Sequence, residues 1–218
     1  MGKYTAIDDP SAYFQTALYT GNAGFNTITN DGNSDLAPDF IWGKCRSTTK
    51  THFLYDTTRG AEKRLESDNT GVEDTGTNGI LNFYTDGFRT ASGNTENDNG
   101  ESYVAWQWKC NGGTTSSNTD GDITSTVQVN QDAGFSIMTY SGTTGDVHTI
   151  GHGLGVTPDV WIVKQRSGNS EFQDWFFWHH QMAASNIIDN RMLFLNTTAA
   201  LATYTGINAV TSSTIRVK

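Results

Sequence analysis

The sequence predicts an all-β fold of two tandem antiparallel β-sandwich modules, the second of them incomplete. Three observations carry that expectation. The chain repeats itself: Pro38-Asp-Phe-Ile-Trp-Gly-Lys-Cys-Arg-Ser47 is echoed by Pro158-Asp-Val-Trp-Ile-Val-Lys-Gln-Arg-Ser167 at an offset of 120 residues. Upstream, Ala12 to Asn22 aligns with Ala133 to Thr143 at an offset of 121, and two ordered matches at nearly one offset mark a unit written twice. Composition is the second observation: hydrophobic residues are only 35% of the chain, aromatics reach 11%, and turns must come from 23 glycines rather than 3 prolines. Such a chain draws its core from Trp, Phe and Tyr on short strands with many turns. Alternation of apolar and polar residues with a period of two is the third.

In chain order, Asp8-Asp9-Pro10 is a turn-like break, and residues 12–20 read as a strand with Phe14, Thr16, Leu18 and Thr20 on one face. Gly21 to Ala37 is a polar loop with an Asn30-Asp31-Gly32-Asn33 turn and room for a short strand around Phe25 to Ile28. Pro38 opens the first anchor strand, since a residue without an N–H is tolerated at a strand's first position. Its two faces are both largely apolar, as are those of the echo after Pro158, so both anchors are expected to be central strands. Thr51 to Asp56 is a short strand, 57–67 continues as loop and strand, and Gly79 to Arg89 makes two strands about an Asp86-Gly87 corner. Tyr103 to Lys109 closes the module, with Val104, Trp106 and Trp108 expected toward the core. The first module thus spans 1–110, residues 111–122 form a polar linker, and 123–218 is the second, truncated module. Within it, strands are expected at 123–130, 135–140, the second anchor, the aromatic run Trp175 to Trp178, 192–195 and 211–217.

A net charge of −9, from Lys+Arg 14 against Asp+Glu 23, opposes a phosphate-tracking surface, so nucleic acid is not an expected partner. No apolar run approaches the roughly 18 residues of a membrane span, and the N-terminus has no signal-peptide core, so neither membrane insertion nor export is expected. Ala6 stands where a myristoyl acceptor usually carries Ser or Thr. Two cysteines, Cys45 and Cys110, are too few for a disulfide scaffold and read as buried free thiols.

Chemistry is sparse. Gly151-His-Gly-Leu-Gly155 lacks the Lys-Ser/Thr ending of a phosphate loop and reads as a tight turn into the second anchor. His179 and His180 would point to opposite faces of a regular strand and could not share a metal. The acidic turns Asn118 to Asp122 and Asp98 to Glu101 resemble calcium loops but lack the closing bidentate Glu. No catalytic, cofactor or metal residues are assigned, and no paired carboxylates of a glycosidase stand out. Six tryptophans could stack on sugars where exposed, although strand positions place most of them in the core. Trp175, Trp178, His179 and His180 are the candidate glycan or partner contacts.

Asp8-Asp-Pro-Ser-Ala-Tyr-Phe-Gln-Thr-Ala-Leu-Tyr-Thr-Gly21, Pro38-Asp-Phe-Ile-Trp42, Tyr55-Asp-Thr-Thr-Arg-Gly-Ala61, Thr85-Asp-Gly-Phe88, Tyr103-Val-Ala-Trp-Gln-Trp-Lys109, Gly134-Phe-Ser-Ile137 and Gly151-His-Gly-Leu-Gly155 together resemble a repeated module of marine tailed phages. That module occurs in cyanophage and pelagiphage virion structural or tail-fibre-like proteins. The resemblance implies a jelly-roll or lectin-like sandwich in a virion assembled in the host cytoplasm, with no catalytic residues. It makes the expected function non-enzymatic: a tail fibre, head appendage or capsid-surface decoration, homo-oligomeric and contacting other virion proteins. A glycan-binding module for the host surface is the alternative, and a polysaccharide depolymerase a weaker one. Family members continue beyond the place of Lys218. Because the second copy has no counterpart of Tyr103 to Lys109, a neighbouring chain is expected to complete or cover it; the alternatives are that residues 1–11 fill the gap in cis or that the module closes with fewer strands.

Overall fold

A computed structural model describes residues 7–76, 78–93, 95–143, 147–168, 173–182, 191–203 and 210–217. The chain is all-β, with antiparallel sheets and, among the described residues, two single 3-10 turns. It divides into two units, Met1–Glu66 with Glu73–Gly113, and Ser67–Val72 with Thr114–Lys218.

Unit 1 begins with the turn Pro10–Ala12, capped by Asp9, whose carboxylate accepts the Ser11 amide at 2.9 Å and the Ser34 hydroxyl at 2.6 Å. Nine strands follow: β1 (Phe14–Thr20), β2 (Asn26–Ile28), β3 (Phe40–Cys45), β4 (Phe53–Asp56), β5 (Gly60–Leu65), β6 (Asp74–Thr75), β7 (Ile80–Tyr84), β8 (Gly87–Thr90) and β9 (Ser102–Trp108). They form a six-stranded sheet in the order β1-β9-β3-β4-β5-β6 and a three-stranded sheet β2-β8-β7. Ala17, Ile41, Phe53, Tyr55, Tyr103 and Ala105 of the first sheet pack with Ile28, Ile80 and Phe88 of the second. That shared layer makes unit 1 a sandwich, because each sheet hides one apolar face on the other.

The strands obey their alternation. In β3, Ile41, Gly43 and Cys45 are buried while Phe40, Trp42 and Lys44 are half-buried. Gly43 is required by close approach: a Cβ there would lie 2.0 Å from the Phe53 ring. Gly43→Ala is therefore expected to cost about 2 kcal/mol through overpacking, read as a lower urea midpoint for the unit 1 transition with its slope unchanged.

β9 reverses one expectation. Tyr103, Ala105 and Gln107 are buried on one face; on the opposite face Val104 is buried as expected, but Trp106 and Trp108 are only half-buried. The reason is polar as well as apolar: the Gln107 side-chain amide donates to Asn30 Oδ1 at 2.6 Å, and the Tyr103 hydroxyl donates to the Thr95 carbonyl at 2.9 Å.

Unit 2 contains β10 (Ser116–Asn118), β11 (Ser125–Asn130), β12 (Phe135–Tyr140), β13 (His148–Gly151), β14 (Val160–Val163), β15 (Phe176–His179), β16 (Arg191–Phe194), β17 (Ala202–Thr203) and β18 (Thr214–Val217). Its sheets run β10-β11-β12, β13-β18 and β14-β15-β16-β17. Ile150, Trp161, Trp178, Met192, Val210, Ile215 and Val217 form its core. Both cysteines are buried free thiols.

Three further expectations need correction. The segment 111–122 is not a bare linker: β10 pairs with β11 through Ser116↔Val127 and Ser117↔Thr126, and the glycine turn before it is bound by unit 1. Residues 67–72 belong with unit 2 and 111–113 with unit 1, so the division is not contiguous in sequence. The second anchor, β14, pairs only with β15 among the described residues and is an edge, whereas β3 lies between β9 and β4.

Candidate functional site

The residues singled out as contacts do not form one exposed cluster. Trp175 and Trp178 are only 5% and 4% exposed, and Trp178 stacks on Trp161 with centroids 6.2 Å apart. Their rings are core and present no sugar-stacking face, because β15 turns Trp178 inward opposite Trp161. His179 and His180 also depart from the regular-strand expectation. The strand ends at His179 and a 3-10 turn begins at His180, which brings the two rings together at 4.7 Å and 23°. His179 Nδ1 accepts the Gln181 amide at 3.0 Å, and His180 Nδ1 lies 2.8 Å from Asp159 Oδ1. No group of three or more metal-type side chains comes together among the described residues. Both acidic turns are internally engaged: Asn118 Oδ1 accepts the Asp120 amide at 2.9 Å, and Asp98 pairs with Lys50.

One exposed and several half-buried aromatics line up instead on the outer face of the six-stranded sheet of unit 1. Register places Phe14, Trp108 and Phe40 in one row and Thr16, Trp106 and Trp42 in the next. Trp108 sits between Phe14 and Phe40, with centroids at 4.9 and 5.4 Å. Phe14 is 40% exposed and Leu18 64%, so this face is an apolar patch with planar rings at its centre. The Trp42 indole N–H donates to His52 Nδ1 at 3.0 Å, fixing that ring's orientation. Sequence periodicity placed Trp106 and Trp108 inward because both faces of β9 carry large side chains.

Two carboxylates of unit 1 are buried among donors. Asp39, 1% exposed, accepts the Thr57 hydroxyl at 2.6 Å and the Gly113 amide at 3.0 Å on Oδ1, and the Cys110 and Gly112 amides at 2.7 and 2.9 Å on Oδ2. Gly112 and Gly113 have φ of 61° and 76°, a left-handed pair that turns successive N–H groups onto one anion. Glu96 accepts the Tyr55 hydroxyl at 3.1 Å, Arg64 Nη1 at 3.2 Å and the Thr95 hydroxyl at 3.0 Å. This network lines a cleft of about 450 Å³ with Glu62, Asp74 and Asp98 at its walls. Glu62 takes the left-handed φ of 67°. Burial, reinforced by the Glu96 charge, drives the Tyr55 phenol far above its ordinary value. Burial pulls the Arg64 guanidinium down, but Glu96, Tyr55 and Glu66 outweigh it and leave the group raised. A tyrosine held protonated and an arginine held charged clamp this carboxylate.

The glycine-rich turn entering the second anchor hides a histidine that sequence reading treated only as turn. His152 is buried, with Nδ1 accepting the Leu154 amide at 3.2 Å and Nε2 facing the Thr211 carbonyl at 3.3 Å. Burial lowers its pKa from 6.5, against the opposing pull of the Thr211 carbonyl and Asp120. The folded state keeps the imidazole neutral, so the contribution to unit 2 stability is whole above pH 6.5 and is lost as pH falls toward the lowered folded value. Hydrogen exchange of β13 and β18 amides, with intrinsic rates corrected for pH, is expected to show this decline. His152→Gln is expected to flatten it.

Residues 9–218 match the model of the family described as Domain of unknown function (DUF7483). Neither a curated protein nor a solved structure matches the chain.

Proposed function

We propose that the chain, which belongs to the DUF7483 domain family, is a non-enzymatic structural protein of a phage virion, working as an assembly module in a tail fibre, head appendage or capsid-surface decoration. The observation that carries this reading is the recurrence of one pairing scheme in both units. β3 pairs with β4 through Phe40↔Asp56 and Ile41↔Tyr55, and β14 pairs with β15 through Val160↔His179 and Trp161↔Trp178. β2 pairs with β8 through Ile28↔Phe88, and β13 with β18 through Ile150↔Ile215. A repeated scaffold whose buried carboxylates clamp backbone and neighbouring side chains suits load-bearing assembly, and the phage-module motifs point the same way. Copies of the chain and other virion proteins are its partners, and the virion is its location. Quantitative mass spectrometry of purified particles from the encoding phage is expected to find the chain in multiple copies per particle. Its presence only in the unassembled lysate fraction would overturn the proposal.

A second reading, a host-surface glycan-binding module, is favoured by the outer aromatic face. Planar rings of Phe14, Trp42, Trp106 and Trp108 give the stacking surface that sugar rings use. Under this reading Trp106→Ala is expected to abolish glycan-array binding while Trp178→Ala unfolds unit 2. An array silent with the native chain removes it.

A further inference from the structure

Unit 1 displays what sits beside an anchor strand. β9 lies between β1 and β3, with Trp108 opposite Phe14 on one side and Phe40 on the other. The Asp39 amide donates to the Trp108 carbonyl at 2.8 Å, and the Asp39 carboxylate closes on the glycine turn that follows the strand. The far side of the anchor is equally defined: the Thr57 amide donates to the Asp39 carbonyl at 2.9 Å and the Thr57 hydroxyl to its carboxylate.

Unit 2 reproduces that far side. The His180 amide donates to the Asp159 carbonyl at 2.9 Å, and the His180 ring holds Asp159 Oδ1. The near side differs. Among the described residues β14 pairs with β15 alone, whereas β12, the counterpart of β1, has β11 where β1 has β9. Asp159 is 78% exposed at its side chain where Asp39 is sealed. Val160 and Ile162, which occupy the positions of Phe40 and Trp42, are 42% and 37% exposed. A strand edge bordered by apolar side chains and ending in an exposed carboxylate is a template for one further strand.

We propose that the edge of β14, with Asp159 at its entry, accepts one β-strand from another polypeptide. That strand carries aromatic or aliphatic side chains at alternate positions and ends in a glycine turn whose amides bind the Asp159 carboxylate, as the segment Ser102 to Gly113 does for Asp39. The anion and the amide nest are complementary in charge, and the alternate side chains cover Val160 and Ile162 as Trp108 and Trp106 accompany Phe40 and Trp42. This extends and rests on the assembly reading, since it names the segment by which a neighbour joins the chain.

The test uses the full chain and a synthetic peptide of residues 102–113 with Cys110→Ser, followed by hydrogen exchange and fluorescence anisotropy. Saturable binding is expected, with slowed exchange at the amides of β14. Asp159→Ala, or a peptide without its final Asn-Gly-Gly, is expected to weaken binding by about tenfold, the loss of a charge-assisted contact. Protection of β14 that rises with concentration of the chain alone also supports the proposal and makes a second copy the donor. Absent binding, binding equal for a scrambled peptide, or protection confined to unit 1 overturns it. If particles contain the chain in many copies and the peptide still does not bind, the strand-acceptor inference fails and the assembly reading stands.

Discussion

Replacing Asp39 by alanine is expected to destabilise unit 1 by about 4 kcal/mol, because a buried anion that satisfies several donors leaves each of them unpaired when it is removed. The Cys110, Gly112 and Gly113 amides and the Thr57 hydroxyl all converge on this one carboxylate. Hydrogen exchange localises the effect, since the three amides lose protection before those of the preceding strand β9. Asp39→Asn is expected to fall between, as one carboxylate oxygen becomes an N–H donor facing other donors. The matched change in unit 2, Asp159→Ala, is expected to stay within about 0.5 kcal/mol in the isolated chain, as exposed side chains do. Equal losses at the two positions would contradict the contrast between a filled and an open anchor.

Glu96→Ala is expected to cost about 3 kcal/mol, the usual consequence of removing one member of a buried ionic network. Glu96 is fully buried, and its loss strips the Tyr55 hydroxyl, the Thr95 hydroxyl and Arg64 Nη1 of a shared acceptor. Arg64 keeps Glu66 at 3.1 Å and Asp74 at 3.6 Å, which limits the damage. Combining Glu96→Ala with Arg64→Met is expected to cost less than the sum of the single changes, with a coupling of about 1–2 kcal/mol. Additive losses in that double-mutant cycle would show that the pair does not act as a unit.

The anchors were legible because proline fixes a strand's start and alternation fixes its faces, and β3 follows that reading residue by residue. The short strands β2, β4, β7 and β8 were legible from turn chemistry at their ends, as at Asp86-Gly87, where Gly87 takes a φ of 102°. Other features depend on partners remote in sequence. Gln107 points inward only because Asn30 waits there, and the Asn111-Gly-Gly turn resembles a linker until Asp39 is placed beside it. His179 and His180 escaped the strand rule because the strand ends between them. The edge position of β14 was not readable from its own residues, which repeat the apolar pattern of central β3. It emerges from the absence of a second partner among the described residues. The outer aromatic face was obscured for a related reason: β9 carries large side chains on both faces, and size alone does not decide which face is covered.

The most direct measurement is cryo-electron microscopy of the intact particle at a resolution that traces strands. Many copies of the chain are expected, each with a strand from another polypeptide hydrogen-bonded along β14 and a glycine turn seated on Asp159. Particles without the chain, or copies in which the β14 edge faces solvent everywhere, would contradict this expectation.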